Sequence, residues 1–481
     1  MKTCIVLLMV ALTSPLFAQG APSVHMANGI KIGEVTSTSA IIWTRLTQNS
    51  ERNLTGLCWP IVKSKKSKSH AQSVMPKGQS LGDMQDAVPG ASGDVRVSWS
   101  LDGKPAGATE WLAVDSNKDF TRQIQLTSLA PGKRYAVTAS SRSADGTLGQ
   151  IVTGTFQTAP TADQVAPVRF TVVTGQEFSR RDDAANGHKI YTRMLALDPH
   201  FFVHTGDVVY YDYSKSNPKA TGASLARHKW TRMYALPFQR TFHNAVGSYF
   251  IKDDHDTLKN DCCPGQTYGD LTWEEGLSIF REQVPMGEKT YRTIRWGKDL
   301  QIWLVEGRDF RSPNDMPDGP EKTIWGPEQK QWFFDTVKNS DATFRILISP
   351  TPIVGPDRGN KNDNHANKGF THEGDELRAF IGEQKNMFVI CGDRHWQYVS
   401  EDPETSVREY SCGPTSDAHA GGFSEKKRSP MHRYLKVKGG FLSVVIERDK
   451  DGARAVFSHY GVDGAVYNRD VMKAKGNKGR L

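Results

Sequence analysis

Cysteine is scarce in this chain: there are six among 481 residues, and no two stand in a Cys-x-x-Cys spacing. That absence argues against a cysteine-bound zinc. Long apolar runs are missing too. Past the N-terminus no stretch approaches the roughly 18 apolar residues of a membrane-crossing helix, so no transmembrane segment is expected. There is no internal repeat or low-complexity tract. No helix-turn-helix, zinc-finger or RNA-binding signature occurs either, which leaves no specific nucleic-acid-binding module. What remains has the composition of a globular protein, with enough length for two domains and a large core.

The first residues are of a different kind. Lys2, the apolar stretch Cys4 to Leu12 and the small-residue exit at Phe17-Ala18-Gln19 read as a cleaved signal peptide over 1–18. The mature chain is then expected to be exported, periplasmic or secreted. Cleavage removes Lys2 and no acid, so the formal charge of +8 becomes +7, an excess of base that suits anionic substrates or surfaces. Lys63, Lys65, Lys66 and Lys68 form a short basic run interleaved with serine, read as a solvated loop. Five cysteines survive cleavage, Cys58, Cys262, Cys263, Cys391 and Cys412. An odd number leaves a thiol unpaired or one intermolecular bond. Adjacent Cys262 and Cys263 join each other only under strain, so one or both are expected to pair elsewhere.

Patterning divides the mature chain. Residues 24–158 carry short alternating or clustered apolar runs between turn residues, among them Ala40-Ile41-Ile42-Trp43, Val95 to Trp99 and Tyr135-Ala136-Val137, as expected of an all-β domain. Leu129 to Tyr135 and Gly154 to Pro160 resemble the late strands of a fibronectin type III-like sandwich. Residues 63–93 read as a polar surface insertion and Pro160 to Asp163 as a linker. From about 165 to 470, strands alternate with helical patterns, as in a layered α/β domain. Val168 to Val173 opens it, Leu300 to Val305 and Phe344 to Ile348 supply further strands, Pro327 to Val337 a helix with proline in its first turn, and Phe441 to Val466 an antiparallel end.

Chemistry concentrates at strand ends. Gly206-Asp207-Val208-Val209-Tyr210 follows Phe201-Phe202-Val203, and Gly392-Asp393-Arg394-His395 follows Met387 to Ile390. Lys252-Asp253-Asp254-His255-Asp256 follows Ser248 to Ile251. Runs this apolar suit strands covered on both faces, and in such sheets ligands gather beyond the carboxyl ends. A single Gly-Asp there is usually a turn. Three acidic strand ends carrying histidine and tyrosine instead predict convergence on one cation site.

Taken in order, the motifs resemble the alkaline phosphatase D (PhoD-like) family of metallophosphoesterases, over most of the mature chain. The matching segments are Ile41 to Arg45, Gly206 to Tyr210, Asp253 to Asp256, Glu306-Gly307-Arg308-Asp309-Phe310-Arg311, Gly326 to Trp332 and Gly392 to Trp396. The resemblance implies an α/β layered metallophosphatase-type domain after the sandwich, hydrolysing phosphate esters through a metal-bound hydroxide or oxide. It implies two or more metal ions, since paired cations both supply the nucleophile and spread negative charge. On it, Asp207 bridges two metals, Tyr210 binds as phenolate, and Asp254, Asp393 and His395 complete the cluster. His255 faces the leaving oxygen as proton donor or charge stabiliser, and Arg308 either clamps phosphate with its planar fork or forms a structural ion pair with Glu306 or Asp309. Asp253 is expected to orient His255, His204 to sit in the core or support the metals, and Trp325 and Trp396 to pack. Asn364 and His365 fall where such enzymes carry a loop over the site.

One position departs from the family. Its first α/β strand usually ends in Ser-Cys-Gln, where thiolate helps hold ferric iron, and here the place reads Thr174-Gly175-Gln176. Oxygen from Gln176 or Glu177 would shift preference from iron toward calcium, magnesium or manganese, with zinc still open. The same departure, with the basic charge, keeps other readings in view: a phosphodiesterase, a phospholipase or a sulfatase on the same fold, acting on a small phosphate ester or a phospholipid or other polyanionic substrate. A non-catalytic cell-surface binding protein is the third.

Overall fold

Strands buried on both faces should be apolar throughout, and the four residues Phe201–His204 show how that works here. Successive side chains point to opposite faces. Phe201 and Val203 enter the core between two sheets, while Phe202 packs with Ile190, Tyr191 and Phe242 of the outer helices. The computed structural model describes residues 24–63, 71–215 and 217–475. The expected signal peptide and Lys65, Lys66 and Lys68 lie outside the described residues.

The first sheet has nine strands, in the order Val466–Lys473, Gly452–Tyr460, Phe441–Asp449, Val168–Val173, Phe201–His204, Gly247–Phe250, Ile30–Gly33, Ala40–Arg45 and Thr121–Leu126. Its centre is parallel, with Val172 beside Val203 and Val203 beside Tyr249. Its flanks are antiparallel, so the sheet is mixed. The second sheet has seven strands, ordered Arg292–Trp296, Leu300–Leu304, Phe344–Ser349, Met387–Cys391, Arg408–Cys412, Gln397–Glu401 and His432–Lys436. Ile302, Leu304, Ile346, Ile348 and Ile390 of this sheet meet Phe170, Val172, Leu442 and Val444 of the first across the central core. Helices Gly326–Lys338 and Thr371–Glu383 cover the outer face of the second sheet through Phe333, Val337, Leu377 and Ile381. The helix expected at Pro327 to Val337 has proline in its first turn as the sequence predicts.

Residues 24–158 hold strands and short turns, with no α-helix among the described residues. Ile30, Ile32, Ile42, Ile124 and Leu126 face Val95, Val97, Tyr135, Val137 and Phe156 of a five-stranded sheet across a separate core. One of these strands, Ile30–Gly33, runs parallel to Gly247–Phe250 at Gly33 and Ser248, so the nine-stranded sheet spans both parts of the chain. The antiparallel C-terminal ribbon turns where expected, with Asp449 opposite Gly452. The cysteine expectation fails: all five described cysteines are free, four of them buried. Cys262 donates to the Asp254 carbonyl rather than to another sulfur, which is how a buried thiol is satisfied as a small, weakly polar group.

Candidate metal centre

Five strands of the two sheets end at one edge, and their following loops make the site. Val173 leads to Thr174 and Gly175, His204 to Gly206 and Asp207, and Phe250 to Asp253, Asp254 and His255. From the second sheet, Cys391 leads to Asp393 and His395, and Cys412 to a loop that carries His419. The loops are stitched by backbone. Asp256 accepts from Val208 N at 2.9 Å and Asp253 N at 2.7 Å, and Thr174 Oγ1 accepts from Asp393 N at 3.1 Å. Gly206 has to be glycine here: its φ is +104° and a Cβ would stand 2.6 Å from that of Asp253.

A cavity of about 220 Å³ opens at this edge, with Asp207, Asp254, His255, Asp393, His395 and His419 in its wall. Asp207, Asp254 and His255 each bring one ligand atom within 4.8 Å of the others. Asp207 is buried, and its Oδ2 accepts from the Tyr210 hydroxyl at 2.8 Å while Oδ1 has no partner. Burial pushes its carboxyl up to about 7, against the pull of His255. Asp254 is also buried, yet it stays well below the usual carboxylate range: burial raises it, and His255 and Arg308 more than reverse that. An unpartnered buried carboxylate oxygen beside a second carboxylate, a phenol and imidazoles fits a metal cation by its donor chemistry. A protein interior leaves such an oxygen bare only at cost.

Histidine protonation divides the site. His255 Nδ1 lies 2.7 Å from Asp212 Oδ1, and burial, which would lower its pKa, is outweighed by Asp254, Asp207 and Asp212, so it stands well above the ordinary histidine value. His395 is the reverse, lowered to about 3 by burial and by His255. Its Nε2 lies 3.2 Å from the Tyr210 oxygen and 3.6 Å from Asp207 Oδ2. Tyr210 is held well above its usual value by burial and by Asp207, so a phenolate there calls for a cation.

The sequence-predicted residues fall into two groups. Asp207, Tyr210, Asp254, His255 and His395 come together. Asp393 lines the cavity as well but ion-pairs with its neighbour Arg394. Arg308 is not open to phosphate: its Nε and Nη2 hold Asp253 Oδ1 at 2.7 and 2.6 Å, and it lies buried behind Asp254. Asp253 is thus the partner of Arg308, and the residue that orients His255 is Asp212. Gln176 accepts from the Tyr191 hydroxyl and Glu177 from Ser179, so neither turns to the cavity. His204 is a core residue between Phe202 and Phe250. Asn364 donates to Asp357 and Asp363, and His365 pairs with Glu373 at 2.9 Å, both as internal supports. Trp325 packs on Phe333, and Trp396 stacks on Phe423 at the cavity wall. Sequence reasoning missed Asp212, only two residues past Tyr210, and His419. The mixed-charge rim, Arg180, Arg358 and Lys361 beside Asp261 and Asp363, also went unread.

A family profile described as PhoD-like phosphatase matches residues 170–438, more than half of the chain and every strand end just described. The chain belongs to the PhoD-like phosphatase family. It is therefore a phosphoester hydrolase. Among solved structures, one of PhoD matches with a TM-score of 0.70 at 16% identity, covering 97% of this chain and 95% of that one. A purple acid phosphatase, PPD1 from yellow lupin (Lupinus luteus) seeds, matches with a TM-score of 0.59 at 11% identity, covering 92% of this chain and 74% of that one. At such identities these likenesses speak to fold, a PhoD and purple-acid-phosphatase fold of mixed sheets. No curated protein matches the chain. In this PhoD-like phosphatase the family's strand-end motifs and the cavity coincide.

Proposed function

We propose that the protein is an exported, metal-dependent phosphoesterase whose cations are held by Asp207, Tyr210, Asp254, Asp393 and His395. The observation that carries this is the bare Asp207 Oδ1, buried among Asp254, His255 and Tyr210 inside the cavity wall. Calcium, iron, zinc and manganese all suit parts of that donor set. Bound cations supply charge neutralisation at phosphorus and an acidified water at working pH.

The chain's own residues do the rest. Asp212, 2.7 Å from His255 Nδ1, turns Nε2 toward the cavity, where it can protonate the leaving oxygen. Tyr210 bridges Asp207 and His395, so the two strand ends are fixed relative to each other. Arg308 acts through Asp253 and Asp254 and positions the acidic loop. At the mouth Arg180 offers a guanidinium to an anion, while Lys361 is paired with Asp363 at 3.0 Å and Arg358 with Asp357 at 3.6 Å. The chain's excess of base favours a second reading, a diester or a phospholipid head group bearing charge beyond the phosphate that is cut.

The leader at 1–18 supports export. The hydrogen bond from Ala130 N to the Tyr135 hydroxyl, 2.8 Å, is the corner tie of immunoglobulin-like sandwiches and supports a fibronectin type III-like domain at 24–158 before a catalytic domain at 165–470.

Metal analysis with aryl phosphate hydrolysis, before and after chelation, tests the proposal. Activity should disappear with the metal and return on reloading, and Asp207→Ala should hold neither. Hydrolysis that survives complete chelation, or in Asp207→Ala, rejects it. Relative kcat/KM on mono- and diesters separates the two substrate readings.

A further inference from the structure

Four of the five strand ends bring a side chain with a lone pair into the cavity wall: Asp207, Asp254 with His255, Asp393 with His395, and the loop after Cys412 with His419. The fifth, after Val173, ends in Gly175 and brings none. A Cβ on Gly175 would lie 3.2 Å from both Cδ2 and Nε2 of His395, at a φ of +60° that resists side chains, so this corner of the site is kept open beside a nitrogen.

The loop after Cys412 closes on that corner. Thr415 donates to the Gly175 carbonyl through N at 3.2 Å and Oγ1 at 3.1 Å. His419, in the short turn Asp417–His419, adds Nδ1 to the same carbonyl at 3.0 Å. A carbonyl only accepts, so Nδ1 carries the proton and Nε2 carries a lone pair. The ring is only 4% exposed, yet it lines the cavity. Its centroid lies 4.1 Å from that of His395 and 5.3 Å from that of Tyr210. An imidazole whose far nitrogen is pinned to a backbone carbonyl is how proteins orient a metal-binding histidine.

Resting on the metal reading above, we propose that His419 is a further metal ligand, through Nε2, at the corner that Gly175 leaves without a side chain. With His395, Tyr210 and Asp207 it makes a set of two imidazoles, a phenol and a carboxylate. Imidazole there favours zinc or iron over calcium, because calcium takes oxygen ligands.

The test uses the metal-free full-length protein titrated with Co2+, followed by calorimetry and visible absorption. His419→Asn keeps a donor where Nδ1 stood, and with it the tie to Gly175, but lacks Nε2. His419→Ala lacks both. Both variants should lose affinity at one site by about tenfold or more, with a changed visible band, and added imidazole should restore the band in His419→Ala, which a folding defect would not permit. Wild-type affinity and spectrum in His419→Asn overturn the inference and leave the phosphatase reading standing. Loss in both variants that imidazole fails to relieve also counts against it. A wild-type protein that takes up no Co2+ and hydrolyses no ester overturns both readings together.

Discussion

Burial works against ionisation of a carboxylate, and Asp207, raised to about 7 by burial against the pull of His255, has gone part of the way to giving it up. What keeps its surroundings charged is His255, and what keeps His255 charged includes Asp212. Asp212→Asn weakens that anchor at a residue that does not itself line the cavity, and its amide oxygen can still accept from Asn260 N. Hydrolysis should fall about 10–100-fold in kcat, with KM and melting temperature nearly unchanged; a KM effect alone would mean Asp212 serves binding. Gly206→Ala tests the crowding of the same loops. With φ at +104° and Asp253 Cβ 2.6 Å away, it should cost about 2–4 kcal/mol in denaturant unfolding, and a change within ~0.5 kcal/mol would show that the loops give way. Asp207, Asp254, His255 and His395 were legible because carboxylate and imidazole follow apolar strands in the chain itself. Asp212 and His419 were not, since neither ends such a run: one is in a turn that folds back on His255, the other seven residues beyond its strand. The role expected of Arg308 failed for a related reason. A guanidinium's partner is chosen in space, and here it is Asp253.

Strands were legible wherever burial on both faces made them apolar, as at Val168–Val173 and Met387–Cys391. Which sheet they join was not, because periodicity names a face and not a neighbour. Ile30–Gly33 lies within the segment expected to be all-β, yet it extends the sheet that bears the metal-site loops, pairing with Gly247–Phe250. Lys31 explains how that seam is kept. Its side chain points away from Ile30 and Ile32, lies 3.6 Å from the Trp43 ring and 3.9 Å from that of Tyr234, and donates to the Gln283 carbonyl at 2.6 Å. A lysine inside an otherwise apolar strand therefore fastens it to the helices Ala223–Tyr234 and Trp273–Gln283. Lys31→Ala removes a fully buried stem, two ring contacts and the carbonyl's donor. It should destabilise the protein by about 2–5 kcal/mol, read from urea midpoints. An effect below ~1 kcal/mol would mean the strand is held by its ladder and the Ile side chains alone.

Across the whole molecule, stability at acid pH depends on two sets of buried groups that pull in opposite directions. His188 and His204, lowered to about 3, and His459, lowered to about 4, are neutral in the fold, chiefly because of burial. Unfolded, they take up protons below about 6.5. Each therefore contributes stability that is complete above about pH 6.5 and is lost as pH falls toward the folded value. Asp207 and Glu306, raised to about 7, and Asp253, raised to about 8, do the reverse: the fold holds protons that the unfolded chain releases above about pH 4. Their contribution grows as pH falls from about 8 toward 4. The two sets thus act on the metal-free protein with opposite sign, and removing one member takes its own share out of the slope. His204→Leu is the cleanest removal, since that ring is a core residue between Phe202 and Phe250. In chelator, unfolding free energies between about pH 6 and pH 4 should change slope by about 1.4 kcal/mol per pH unit, toward greater stability at lower pH. A variant whose slope matches the wild type would show that His204 titrates in the fold as it does in the unfolded chain, and would remove it from the histidine set.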